Sequence, residues 1–235
     1  MLVSKKYNML YPKLIERILE EEQDIKSAKT RLHQLFGAYI STNAHKKAKA
    51  YLNDTQKILE LHMSTKERLK FYPEFYSYIF SKTENIKTIM DLGCGFNPFS
   101  IPYMGFLPNK YIAIDIDMRT KHLLNIYFKN LNLPPLADCM DLYVEVPDFE
   151  VDICFIFKLL PILKEAGYLL IKNIKSKYIV ITFPIKSLGG HEKGMGKNYA
   201  KSFEHAESQG LIGNYFIADR NIVGTELIYI MTTQM

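Results

Sequence analysis

The stretch Thr88-Ile89-Met90-Asp91-Leu92-Gly93-Cys94-Gly95-Phe96-Asn97-Pro98 restricts the fold more than any other part of the chain. A short apolar run leads into an acid, then into two glycines with one residue between them. The pattern predicts a β-strand over residues 86–91 that runs into a tight turn. Glycine accepts positive φ and a close approach of another group to the backbone. Such turns, at the carboxyl end of a parallel strand, are where open α/β sheets bind ligands. An acid beside the turn suits a cationic ligand better than a pyrophosphate. S-adenosyl-L-methionine, with a positive amino group and a sulfonium, meets that requirement. Two glycines alone fit an ordinary strand–turn–helix junction equally well, so the flanking sequence has to decide.

From about residue 86 onward, strand and helix patterns alternate. Residues 110–115 form a second strand ending in Asp115, and 118–132 a crossover helix. Pro134-Pro135-Leu136-Ala137-Asp138 is a poor strand by propensity but delivers a third acid. Residues 152–157 are a continuous apolar run, as in a central parallel strand. A helix over 159–173 and a buried strand over 178–183, stopped by Pro184, follow. A helix over 192–208 and two closing strands, 212–218 and 226–232, complete the pattern, with Asp219-Arg220-Asn221 as the turn between the strands. The alternation predicts a doubly wound sheet with helices on both faces. Acids at the ends of its first three strands share one sheet edge, an arrangement suited to adenosylmethionine. An acid about 20 residues past a glycine loop can hold a ribose diol. Asp115 lies 20 residues after Gly95, with Asp117 as its competitor, and Asp138 is placed to accept from the adenine amino group. A dinucleotide site would need a third glycine, where Asn97-Pro98 stands instead.

The first third of the chain is different. Apolar residues at helical spacing, such as Leu10, Leu14 and Ile18, and then Leu32, Leu35, Phe36 and Tyr39, predict helices. Asn43 to Lys49 reads as a basic turn of helix. Ser64 or Thr65 is a candidate cap for a helix through Tyr78, with Pro73 kinking it. The net charge is +5, and residues 1–80 carry the whole excess, with 14 Lys/Arg against 9 Asp/Glu. A basic surface of this kind favours a polyanion such as RNA. The division predicted is a helical, basic, RNA-docking domain over 1–82 and a catalytic domain over 83–235. Three cysteines without paired spacing favour a reducing, cytoplasmic setting. No apolar run reaches membrane-spanning length, and no histidine or cysteine cluster has metal-ligand spacing.

Four motifs occur in order: His62-Met63-Ser64-Thr65-Lys66-Glu67-Arg68, the turn Asp91–Pro98, Phe157-Lys158-Leu159-Leu160-Pro161, and Phe183-Pro184-Ile185-Lys186-Ser187-Leu188-Gly189-Gly190. Together they resemble the aminoglycoside-resistance 16S rRNA (guanine-N7) methyltransferases, which modify guanine 1405 of the decoding site. The resemblance runs from about residue 32 to 230. It implies a class I, Rossmann-like, adenosylmethionine-dependent methyltransferase sheet with an N-terminal helical extension. It also implies 16S rRNA within the 30S ribosomal subunit as substrate; a monomer is expected. Arg68 would grip the methionine carboxylate, for which a guanidinium is well suited. Lys158 and Lys186 would face the target nucleotide.

Guanine N7 already carries a lone pair, exposed in the major groove. Its methylation needs no general base, and no candidate base stands out; catalysis would be positioning. The expected cofactor set is Arg68, Asp91, Gly93, Gly95, Asp115, Ile116, Asp138, Cys139 and Phe157. Arg31, Lys46, Lys47, Lys49, Lys158, Lys186 and Lys193 are candidates for phosphate contacts. Phe96, Phe99 and Phe157 could stack on an extruded base, although core packing is the commoner role for each. Two other readings stay open: a methyltransferase for another RNA position or a small molecule, and a non-catalytic ribosome-binding module.

Overall fold

The computed structural model describes residues 6–185 and 195–233. Seven strands form one sheet in the order β3-β2-β1-β4-β5-β7-β6. They are β1 (Thr88–Leu92), β2 (Lys110–Asp115), β3 (Ala137–Cys139), β4 (Glu150–Phe157), β5 (Lys175–Pro184), β6 (Tyr215–Val223) and β7 (Glu226–Thr233). The first five are parallel, and β7 enters antiparallel between β5 and β6. The strand order reverses beside β1, which pairs with β2 on one side and β4 on the other. A crevice at such a reversal is where doubly wound sheets bind ligands.

Strand alternation sorts the core into two layers. Ile89, Tyr111, Ala113, Ile153, Phe155 and Val180 face one layer. Met90, Leu92, Ile112, Ile114, Cys154 and Ile156 face the other. The second layer is covered by α8 (Leu160–Leu163), α9 (Glu165–Asn173) and α10 (Met195–Ser208). The first is covered by α7 (Met118–Asn130) and by α6 (Tyr72–Ser81), which comes from the helical third of the chain. Phe75 of α6 packs against Phe157 of β4 with ring centroids 5.2 Å apart. The apolar core therefore runs unbroken across residue 82.

Among the described residues, five α-helices no longer than α6 precede it: α1 (Pro12–Glu21), α2 (Ile25–Leu32), α3 (Ala44–Ala50), α4 (Thr55–Leu59) and α5 (Met63–Arg68). A turn of π-helix over His33–Gly37 extends α2. These helices are tied to the sheet layer by backbone as well as side chains. The Tyr11 N–H donates to Ile116 O at 2.7 Å, and the Met118 N–H to Met9 O at 2.9 Å. Arg17 grips Asp141 through Nε at 2.6 Å and Nη2 at 3.2 Å.

Several boundaries differ from the sequence pattern. The helix expected through Tyr78 is two helices, and neither Ser64 nor Thr65 caps one. His62 is the residue before α5, and the Thr65 hydroxyl donates to Leu59 O at 2.5 Å. Pro73 opens α6 instead of kinking a longer helix, because its missing N–H costs nothing in a first turn. The helix over 159–173 breaks at Lys164, whose φ is +53°. The third strand is confined to Ala137–Cys139, since the two prolines before it cannot donate to the ladder. Asp219-Arg220-Asn221 lies inside β6, not in a turn. The turn falls at Gly224 and Thr225, where Gly224 supplies φ of +56°.

Candidate active site

A cavity of about 860 Å³, counted out to its mouth, opens at the carboxyl ends of β1, β2 and β4. Its floor is Gly93, Gly95, Asp115, Ile116, Phe157 and Lys158. Both glycines have positive φ, +66° and +49°. A methyl group on Gly93 would lie 2.9 Å from Leu159, and one on Gly95 2.8 Å from His62 Nε2. The turn is thus closed to any side chain. Asp115 braces it from the neighbouring strand. Its Oδ2 accepts from the Gly95 N–H at 2.7 Å, and Oδ1 from the N–H groups of Ile116 at 2.8 Å and Asp117 at 3.0 Å. Burial pushes the Asp115 carboxyl up to about 6, against the pull of those donors.

The opposite wall comes from the helical third: Leu14, Leu35, Phe36, Tyr39, Ile40 and His62. His62 stacks on Tyr39 with centroids 6.1 Å apart and tilts against Phe96 at 5.8 Å. Burial, reinforced by Arg68, lowers its pKa to about 3, so the ring is neutral. Asp141, Leu142 and Tyr143 close the cavity beside β3. The Tyr143 ring lies under both Arg17 and Arg31, with guanidinium carbons 4.5 and 5.4 Å from its centroid.

Behind Phe157 sits a buried charge network. Arg68 is 2% exposed, with its guanidinium carbon 4.8 Å from the Phe157 ring. Its Nε donates to Glu226 Oε1 at 2.7 Å and its Nη1 to Asn97 Oδ1 at 3.2 Å. Nη2 is buried without a partner. Asn97 donates in turn to Asp91 at 2.8 Å, and the Tyr111 hydroxyl to the same Asp91 oxygen at 2.7 Å. Burial pushes Asp91 up to about 6, partly offset by these two donors.

Comparison with known proteins places this arrangement. The ribosomal RNA methyltransferase (FmrO) family matches residues 3–230. The chain belongs to that family. A 16S rRNA (guanine(1405)-N(7))-methyltransferase of Serratia marcescens is 35% identical, covering 98% of this chain and 94% of its own. The solved 16S rRNA methyltransferase RmtF, in complex with S-adenosyl-L-homocysteine, superposes with a TM-score of 0.87 at 28% identity, covering 98% of this chain and 94% of that one. The 16S rRNA methylase RmtB gives 0.84 at 31% identity, covering 99% and 95%. The sheet is that of the class I, Rossmann-like methyltransferases.

Within this FmrO-family fold, the residues singled out from sequence divide into groups. Gly93, Gly95, Asp115, Ile116, Phe157 and Lys158 come together at the cavity. Asp91 and Arg68 lie one layer behind it. Asp117 is fully buried and caps α7; its carboxylate is taken up by Arg119 and His45, whereas Asp115 lines the cavity. Asp138 and Cys139 are not brought to this cavity. They line a separate cleft with Tyr11 and Lys121, where Asp138 pairs with Lys121 at 2.6 Å. Lys46, Lys47 and Lys49 stand exposed on α3, while Arg31 packs against Tyr143 and donates to its hydroxyl. Phe96 and Phe99 are core residues with no exposure. Lys186 and Lys193, with most of the loop expected to face the target, lie outside the described residues.

Sequence reasoning missed His62, Tyr39, Asp141, Tyr143 and Glu226. The only available signal was for His62, which opens the His62–Arg68 motif. No metal-binding cluster of His, Cys, Asp and Glu occurs among the described residues.

Proposed function

We propose that this protein transfers the methyl group of S-adenosyl-L-methionine to N7 of guanine 1405 of 16S rRNA, acting as a monomer on the assembled 30S subunit. The observation that carries this reading is the full-length relationship to the Serratia marcescens enzyme of that name. The residues present fit the cofactor. Two glycines with positive φ line the cavity beside Asp115, and Arg68 holds one guanidinium nitrogen with no protein partner. When bound, the cofactor supplies an electrophilic methyl group on a sulfonium.

The chain's own residues would then position and exclude. Asp115 accepts from the ribose diol, and Arg68 offers Nη2 to the methionine carboxylate, a charge-assisted contact. Asp91 fixes Asn97, which holds Arg68 in place. Asp138 and Cys139, in their neighbouring cleft with Tyr11 and Lys121, are the candidate contacts for the adenine end. Phe157 and the helical wall keep water from the reacting atoms. The N7 lone pair of the guanine would take the methyl group as its bond to sulfur breaks, leaving a neutral thioether and a positive charge on the base. No proton has to be removed first, which accounts for a site without a general base. Lys158, on the cavity floor, is the candidate target-facing residue. Arg31, Lys46, Lys47 and Lys49 contribute to phosphate binding, with Lys186 and Lys193 as further contacts.

The purified protein should transfer labelled methyl to 30S subunits, and mass mapping should place an N7-methylguanine at position 1405. Methylation of free small molecules, with none on 30S subunits, selects the other enzymatic reading. Tight subunit binding without cofactor affinity selects a non-catalytic module. Expression in a susceptible bacterium should raise resistance to aminoglycosides that bind the decoding site.

A further inference from the structure

Glu226 belongs neither to the glycine turn nor to the helical wall, yet it reaches Arg68 of the helical third and Lys158 at the end of β4. It opens β7, the antiparallel strand, and its side chain is fully buried. Its Oε1 accepts from Arg68 Nε at 2.7 Å and from Lys158 Nζ at 3.0 Å. Lys158 also reaches Glu67 at 2.6 Å. Taking a carboxylate out of water is costly, and a buried ion pair repays that cost only with good geometry and further hydrogen bonds. Here a single oxygen serves two cations from different elements. Burial alone would raise the Glu226 pKa, but Arg68 and Lys158 outweigh it and hold the carboxylate below its ordinary range.

Two consequences follow from this geometry. Arg68 has a planar fork of fixed shape. With Nε held by Glu226 and Nη1 by Asn97, the direction of the remaining Nη2 is imposed. Lys158 has φ of +57°, a conformation unusual for a residue with a side chain. Its backbone N–H is anchored to Thr182 O at 3.0 Å, and its ammonium lies between two carboxylates. Methylation at N7 makes the guanine a cation. A lone lysine beside it would oppose that charge, whereas a lysine neutralised by Glu226 and Glu67 does not.

We propose that Glu226 is a positioning residue that sets the cofactor-gripping arginine and the target-facing lysine from one carboxylate. The proposal rests on the roles given above to Arg68 and Lys158. The test is Glu226→Gln in the full chain, which keeps the shape and removes the charge. Calorimetry with S-adenosyl-L-homocysteine should show affinity reduced tenfold or more. Methyl transfer to 30S subunits at saturating cofactor should fall tenfold or more as well. A purely structural role would lower the melting temperature and leave both quantities unchanged in the folded protein; that result overturns the proposal. Loss of only one of the two overturns it too, because a shared carboxylate must move both. Lys158→Met should reduce the saturated rate while keeping the cofactor affinity within about threefold of wild type. An affinity loss there equal to that of Glu226→Gln would show that the two cations are not set separately, and would also overturn it. If Glu226→Gln does not fold, Glu226→Asp keeps the charge, shortens its reach, and reads the same two quantities. A wild-type protein that neither binds S-adenosyl-L-homocysteine nor methylates 30S subunits would instead bring down the activity assignment, before any variant is read.

Discussion

The floor and the wall of the cavity are built on different principles. The floor is held by backbone: strand ladders set β1, β2 and β4 side by side, and three N–H groups fix the Asp115 carboxylate. The wall is held largely by side chains. Arg17 grips Asp141, two guanidinium groups lie over Tyr143, and His62 stacks on Tyr39. The two also bury opposite kinds of titratable group. Asp115 of the floor and Asp91 behind it are pushed up by burial, and the wall-side histidines His45 and His62 are pushed down by it. A floor made by backbone tolerates almost no change in its few special residues. A wall made by side chains can be loosened one contact at a time, and segments of that kind supply the low-energy local openings of a fold.

The largest effect should come from breaking the floor. Gly95→Val would impose a branched side chain at φ of +49°, where even a Cβ lies 2.8 Å from His62 Nε2. Affinity for S-adenosylhomocysteine should fall by roughly a hundredfold or more, given the strain and the blocked approach. Affinity within a few fold of wild type, measured by calorimetry, would mean that the wall alone carries the cofactor.

Breaking the wall should cost stability first. Arg17→Ala leaves Asp141, 1% exposed, without its cation. Stranding a buried charge costs about 3–5 kcal/mol. Partial exposure of Arg17 reduces the expectation to about 2 kcal/mol, read as a lowered denaturant midpoint. Cofactor affinity should drop severalfold as well, because Asp141 and Tyr143 line the cavity. An unchanged midpoint would remove the Arg17–Asp141 pair as the fastening.

The smallest effect is the pH response, where the two regions oppose each other. Asp91 and Asp115 rise from 3.8 to about 6 on folding. They bind protons more tightly in the folded state, so their contribution is full below about pH 4 and is lost as pH rises through 6. His45 falls from 6.5 to about 4, mainly through burial and against the pull of Asp117. Its contribution is full above pH 6.5 and is lost as pH falls toward 4. The two responses partly cancel in wild type. His45→Asn removes one of the two histidines on that side of the balance and leaves His62 in place. Relative to that variant, wild type should lose about 1–2 kcal/mol between pH 6.5 and 4.5. Parallel stability–pH curves for the two proteins would show that His45 does not titrate between the folded and unfolded states.

The parallel strands were legible because their signals are local. Lys110–Asp115 appears at the residues its pattern predicts, and the apolar run of β4 is extended by only two residues at its start. Element ends were less legible, since Lys164 and Gly224 mark breaks that no periodicity announces. Asp115 was readable as a candidate from its distance to the glycine turn, but that it lines the cavity and Asp117 does not was not readable. Asp117 is occupied by Arg119 and His45. The wall was the least legible part. Tyr39 and Tyr143 look like ordinary apolar residues of their segments, and only packing brings them to the cavity.

By itself, the sequence determined the strand–turn–acid framework, the basic bias of the helical third and the resemblance to a methyltransferase family. These are properties of short stretches: alternation, glycine spacing, motif order and charge. The tertiary structure decided that α6 covers the sheet instead of belonging to an appendage, and that the helical third walls the cavity. It also decided that one glutamate from the last strand holds both Arg68 and Lys158. Each of these joins residues remote in the chain through burial and ion pairing. Such pairings depend on which surfaces meet, and no local pattern encodes that.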